Sequence, residues 1–243
     1  MLQYRSNRHL LVLLLTLLIL PESLCLGQML KTKLAERTDF VPTSDTPLNQ
    51  LIEVAQKFKI PMGIEWIEEM DVSVNESLDF REGRVIDLIA AITKGISDAV
   101  VNEEGEILHI FFLHSVLNPL NFLNLRIREY EVVNTPLHLA ERQLQRRINM
   151  LLYPDPKSGG IGGGYGGWSP DPLRDCNINF SSHDLSIRDV LTGIALACGK
   201  ALWVVKLSRD ELSGQRPKWE GIPRDRQGQS PLSGRWKFIP LTR

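Results

Sequence analysis

Hydrophobic positions recur along this chain in two successive sets that share one order: a Thr-Pro-Leu helix start, an extended stretch, then a second amphipathic helix. In the first set Thr46 is suited to cap a helix. Pro47 suits its first turn, where no backbone donor is needed. Leu48, Leu51, Ile52 and Ala55 follow at helical spacing and make one apolar stripe. The stripe should fade near Lys59, because the residue before Pro61 is pushed out of helical dihedrals. Met62–Ile67 predicts a short strand, and Val72, Val74, Leu78 and Phe80 alternate with polar residues as a second extended stretch. Arg84–Lys94 predicts the second helix, with Val85, Leu88, Ile89 and Ile92 on one face and Gly95 closing it. Ala99–Asn102 and Ile107–Leu113, joined through Glu103-Glu104-Gly105, predict a hairpin. The result is an αββαββ unit of about 70 residues.

The second set begins with a strand over Leu125–Val133 that leads into Thr135-Pro136-Leu137. Leu137, Ala140, Leu144 and Ile148 form the inner stripe of the following helix, and Arg142, Arg146 and Arg147 lie on its other face. An insertion at residues 154–172 holds the glycine-rich run of residues 159–167. After it, Ile178-Asn179-Phe180 parallels Leu78-Asp79-Phe80, and Ser186 is placed to cap a helix with the stripe Ile187, Val190, Leu191 and Ile194. Ala201–Leu207 predicts a strand containing Trp203, a polar loop occupies residues 208–234, and Trp236–Leu241 returns as the partner strand. The expected fold class is therefore α+β. It comprises a first unit at residues 45–113, a linker at 114–124 and a second unit at 125–243, each αββαββ-like, the second carrying the glycine-rich insertion.

The start of the chain reads differently. Arg5 and Arg8 precede an apolar run, Leu10–Leu20, that is too short for a membrane span of about 20 residues. This is the pattern of a secretory leader, with cleavage expected after Gly27 in Cys25-Leu26-Gly27. Residues 28–44 read as a linker. An uncleaved anchor is one alternative. A lipoprotein through Cys25 is another, although Glu22-Ser23-Leu24 departs from the usual approach to a lipidated cysteine. Loss of Arg5, Arg8 and Glu22 with the leader takes the 28 basic and 29 acidic residues to 26 and 28. That near-balance gives no footprint for wholesale nucleic-acid binding, which wants a broad basic surface. Cys176 and Cys198 then stand at the start of a strand and the end of the helix folding back along it, so they are expected to pair in an oxidising compartment, with two buried free thiols as the alternative.

Candidate chemistry changes this picture little. Gly162, Gly164 and Gly167 match a dinucleotide fingerprint in letters. However, Trp168-Ser169-Pro170-Asp171-Pro172 follows where a helix would have to begin. The run reads as a surface insertion with Tyr165 and Trp168 as candidate partner contacts. His109, His114, His138 and His183 are dispersed, and the chain has neither a His-x-x-x-His pair nor a Cys-x-x-Cys, so no metal or other cofactor is expected. His183-Asp184 beside Ser181 and Ser182 reads as a strand-to-helix turn rather than a triad. Glu65, Glu68, Glu69, Asp71, Glu76 and Asp79 read as a solvated acidic face. Arg142, Arg146 and Arg147 form a basic patch that reads first as an ordinary solvent-facing helix side and, as the alternative, as a contact for an anionic or acidic partner. Asn75-Glu76-Ser77 and Asn179-Phe180-Ser181 match glycosylation sequons.

Thr-Pro-Leu-x-x-Leu-Ile-x-x-Ala-x-x-Phe from Thr46, the strand ending at Trp66, Leu78-Asp79-Phe80 and Val85–Ile92 together resemble the secretin and TonB N-terminal short domain. Ile178-Asn179-Phe180 with Leu185-Ser186-Ile187-Arg188-Asp189-Val190-Leu191 is the closest single stretch. The resemblance covers residues 45–113 well and 125–207 less fully. It implies a non-catalytic bacterial envelope module that recruits partners or builds rings, without a cofactor. Members of that family usually precede an outer-membrane pore or barrel, whose alternating strands this sequence lacks. The expectation is an exported, periplasmic or secreted interaction module that docks an envelope protein such as an outer-membrane or secretion-system component. It has no transmembrane span once the leader is removed, and self-association is left open. The alternative is an exported hydrolase acting on cell-wall material.

Overall fold

The computed structural model describes residues 22–68, 78, 80–152, 173, 175–208, 212 and 236–241. The elements in order are α1 (Glu22–Ala35), β1 (Arg37–Thr38), α2 (Pro47–Phe58), β2 (Met62–Ile67), β3 (Gly83–Arg84) and α3 (Val85–Thr93). The hairpin β4 (Ala99–Glu104) and β5 (Ile107–Phe112) follows, with the short α4 (Leu113–Val116) and a 3-10 turn at Phe122–Asn124. The second half supplies β6 (Arg126–Pro136), α5 (Leu137–Leu152), β7 (Asn177–Ser186), α6 (Ile187–Cys198), β8 (Ala201–Leu207) and β9 (Trp236–Pro240). The α+β class is as expected. The strands are of mixed orientation, in one five-stranded sheet and two two-stranded ribbons.

Local chemistry explains most boundaries. Thr46 accepts from the Asn49 amide at the start of α2, and Lys59 ends that helix in the left-handed region, with φ 52°. Gly105, with φ 60°, turns the β4–β5 hairpin. Ser186 and Asp189 form a reciprocal capping box on α6, and Gly199 closes it at φ 65°.

The large sheet runs in the order β4-β5-β2-β8-β9. β4 pairs antiparallel with β5, β5 parallel with β2, β2 parallel with β8, and β8 antiparallel with β9. The two sequence units therefore do not each close a sheet of their own. β2 from the first half and β8 from the second are hydrogen-bonded neighbours. β2 is buried along its whole length, as a central strand covered on both faces must be. One transverse row crosses all five strands: Asn102, His109, Gly63, Trp203 and Phe238. Gly63 is the low point of that row. A Cβ built there would lie 2.5 Å from the Trp203 indole, so only glycine lets that ring cross β2.

β6 and β7 form a separate antiparallel ribbon, and α6 lies between this ribbon and the large sheet. On the ribbon side Phe180 packs against Gly193, where a Cβ would approach its ring to 2.1 Å. Toward the interior α6 buries Ile187, Val190, Leu191 and Ile194, the stripe that its spacing predicts. Cys176 and Cys198 lie at disulfide distance, with Cα atoms 5.7 Å apart, and tie the start of β7 to the end of α6.

Four expectations change. The second Thr-Pro-Leu does not cap a helix: Thr135 and Pro136 are the last residues of β6, opposite Ile178 and Asn177. The ladder with β7 continues through them, and Thr135 Oγ1 donates back to the Val133 carbonyl. Residues 28–35, read as linker, belong to α1, whose Leu30 and Leu34 are buried, and β1 then pairs with β3. The 114–124 linker is folded too, with Ser115, Asn121, Phe122 and Leu123 buried. Leu78 and Phe80 are not in a strand. Residues 1–21, Val72, Val74, the 154–172 insertion and most of the 208–234 loop lie outside the described residues.

Candidate functional site

Two groupings of polar side chains stand out, one inside the fold and one on its surface. The inner one hangs from α6. Arg188 and Thr192 are four residues apart, so both point from one face of that helix onto the large sheet. Arg188 grips Glu65 of β2 with two guanidinium nitrogens, Nε on Oε1 and Nη2 on Oε2 at 3.1 Å. The Glu65 side chain is 2% exposed and that of Arg188 14%. A third nitrogen, Nη1, donates to Asn124 Oδ1 at 3.0 Å. Asn121 reaches Glu65 at 3.5 Å and also donates to the carbonyl and hydroxyl of Ser115. Glu65 is thus not part of a solvated acidic face. It lies within a fully buried strand, and a charge there persists only because a bidentate partner meets it. Glu68 is exposed, and Glu69, Asp71, Glu76 and Asp79 lie outside the described residues.

One turn further along α6, the Thr192 hydroxyl lies 3.1 Å from His109 Nε2 and accepts from Trp203 Nε1 at 3.2 Å. The rings of His109 and Trp203 meet edge to face over Gly63, with centroids 5.9 Å apart. Glu104 Oε2 lies 3.2 Å from His109 Nδ1. These neighbours favour a neutral imidazole protonated on Nδ1, with Thr192 donating to Nε2. Burial holds His109 below the ordinary imidazole value. The Glu104, Glu65 and Asp189 carboxylates oppose that shift, and the Arg188 guanidinium adds to it.

The order carboxylate, imidazole, hydroxyl is the order of a nucleophilic triad. Here, however, the Thr192 oxygen is already an acceptor for Trp203 and is held between α6 and the sheet. Two contacts of the cluster, Glu65 with Arg188 and His109 with Thr192, join the two halves of the chain.

The other histidines do not converge. His114 faces Asp98 at 3.6 Å, and His183 stands opposite Glu129 on the ribbon. Asp184 is held by Arg126 at 2.9 Å, and that hydrogen-bonded pairing keeps its carboxyl below the usual range. No triad forms with Ser181 or Ser182. Among the described residues, no three His, Cys, Asp or Glu side chains converge to hold a metal ion.

The surface grouping is on α5. Leu137, Ala140, Leu144, Gln145 and Ile148 are buried, and Tyr130 of β6 anchors the helix by donating to the Ala140 carbonyl at 2.7 Å. Arg142, Arg146 and Arg147 are exposed, and none makes an ion pair among the described residues. Leu139, Met150 and Leu151 share that surface at 38%, 51% and 45% exposure. A second apolar set, Leu113, Leu117 and Leu120, is exposed around α4. Tyr165 and Trp168 lie outside the described residues. No helix among the described residues is long and apolar enough to cross a membrane.

Sequence reasoning placed the α5 arginines on the outer face, where they are exposed, and missed Arg188, Thr192, His109 and Glu65 as a group. The available signals were Gly63 and Glu65 inside a strand whose other residues are apolar, the glycine being a sign of close approach by another side chain. Comparison with protein-family models, curated proteins and solved structures finds no match.

Proposed function

We propose that this protein is a non-catalytic interaction module of the cell envelope that works by docking another envelope protein. The observation that carries the reading is the contrast between an inner cluster, Glu65, Arg188, His109 and Thr192, whose polar groups pair with one another, and a surface that leaves large apolar side chains open. Leu117 and Met150, at 72% and 51% exposure, stand among several such residues around α4 and on α5. Grouped exposed apolar residues mark interaction surfaces. Cys176 and Cys198 at disulfide distance support an exported location, because such pairs persist in oxidising compartments. The resemblance to the secretin and TonB short domain supports an envelope role.

The test is crosslinking of envelopes from cells that make the protein, followed by recovery of the full chain. Recovery of a defined envelope protein is the expected result. Turnover of cell-wall material by the purified chain, with no partner recovered, would overturn it in favour of the hydrolase.

A further inference from the structure

Resting on that reading, we infer that the exposed ridge of α5 is the docking element, and that its partner is a protein groove with apolar ends and carboxylates at its floor and rims. The argument begins with helical geometry. Successive residues turn by about 100°, so Gln143, Arg146 and Met150 all fall within about 40° of Leu139 around the helix. Arg142 then lies about 60° to one side of that line and Arg147 about 80° to the other. The ridge is Leu139, Gln143, Arg146 and Met150, at spacing i, i+4, i+7 and i+11 and about 16 Å long. This is the anchor pattern by which a helix fills a groove.

Charge decides what kind of groove. The ridge has an apolar side chain at each end and a guanidinium at its centre, and a further guanidinium flanks each side. None of the three has an anionic partner within the described residues. A complementary surface therefore carries carboxylates opposite Arg146 and along both rims. Arginine and methionine are the side chains that protein interfaces favour over lysine, and a planar guanidinium meets carboxylate through paired hydrogen bonds. An anionic membrane fits less well. A helix lying on a bilayer directs its exposed ridge deepest, and here Arg146 occupies that point, where a charge is most costly.

The inner face of the same helix is spent on the fold through Leu144, Ile148 and the Tyr130 contact to Ala140. The outer face can change without loss of the core.

The test places a photoreactive phenylalanine analogue at position 143 of the full chain in its own cells, with matching probes at Leu117 and Asn102. The expected result is an adduct from position 143 to another protein, mapped to a segment with Asp or Glu beside apolar residues. Arg146→Glu should lower the adduct yield about tenfold or more, the loss typical of a central interface arginine. Its thermal midpoint should be unchanged, which separates lost docking from lost folding. An adduct insensitive to Arg146→Glu would overturn the inference. So would an adduct to residues 153–172 of the same chain, to a second copy or to lipid. Tight binding of the purified chain to phosphatidylglycerol vesicles, lost in Arg146→Glu, would assign the face to membrane instead. Adducts from position 117 or 102 but none from 143 would sink the α5 inference and leave the module reading standing. No adduct from any of the three would sink both.

Discussion

Helices α5 and α6 come from the same half of the chain, both are amphipathic, and both carry arginine, yet their arginines serve opposite ends. Arg188 of α6 is turned inward and closes on Glu65, a carboxylate from the other half of the molecule. Arg146 of α5 is turned outward and has no anionic partner among the described residues. The difference lies in what each helix is packed against. α6 is held between the β6–β7 ribbon and the five-stranded sheet, so even its polar positions must find partners inside. α5 has one covered face. A charge on the first helix is paired within the fold, whereas the arginines of the second meet no counter-charge among the described residues.

The contrast can be broken most severely at Arg188. Replacing Arg188 with Met should destabilise the protein by about 3–5 kcal/mol, because Glu65 is left buried without its counter-ion. Urea unfolding would measure this, and the double variant Glu65→Leu with Arg188→Met should recover much of the loss. A loss below about 1 kcal/mol, the scale of an exposed pair, would mean that the ion pair is not buried as described. Gly63→Ala tests the seam without touching a charge. The added methyl meets the Trp203 indole, and overpacking of this kind costs about 1–3 kcal/mol. In a Trp203→Leu background the Gly63→Ala penalty should shrink, because the smaller side chain no longer meets the added methyl, as a double-mutant cycle of denaturation midpoints would reveal.

A smaller effect follows from His109. Its folded-state value is depressed, so between that value and the ordinary 6.5 the unfolded chain binds the proton more readily. The His109 contribution is complete above about pH 6.5 and is lost as pH falls below it, levelling off only once the folded imidazole is also protonated. The slope cannot exceed about 1.4 kcal/mol per pH unit for one group. Comparing stability from pH 7.5 to 5 in the parent and in His109→Gln should show a shallower decline in the variant. Equal slopes would remove His109 from the account. The smallest expected effect is Arg146→Glu on α5, within about 0.5 kcal/mol of the parent, as for a surface site away from any packed feature. A larger loss would show that this arginine too is committed to the fold.

Much of the architecture was legible from the order of residues. The α2 start at Thr46 and Pro47, the Met62–Ile67 strand, the capped helix after Ser186 and the return strand at Trp236 follow from spacing and turn chemistry. The cysteine pair followed from the same reasoning, since a strand and the helix folding back along it bring their far ends together. Residues 28–35 were missed because a helix of low amphipathicity shows no stripe, even when Leu30 and Leu34 find a core. The second Thr-Pro-Leu misled for a related reason. The same three residues cap a helix at Thr46 but extend a strand at Thr135, where β7 lies alongside to pair with them. Local preference is weak beside a neighbouring strand that satisfies the backbone.

By itself, then, the sequence determined the mixed class and most of the longer helices and strands, because hydrophobic period and capping residues act over a few positions. Only the tertiary structure decided that β2 and β8 share one sheet, and with it the fate of individual charges. That pairing brings Glu65 beneath Arg188, and His109 and Trp203 together over Gly63. Residues separated by up to 123 positions in the chain meet there. No local pattern encodes such contacts, for whether a carboxylate is solvated or buried is set by what the rest of the chain places against it.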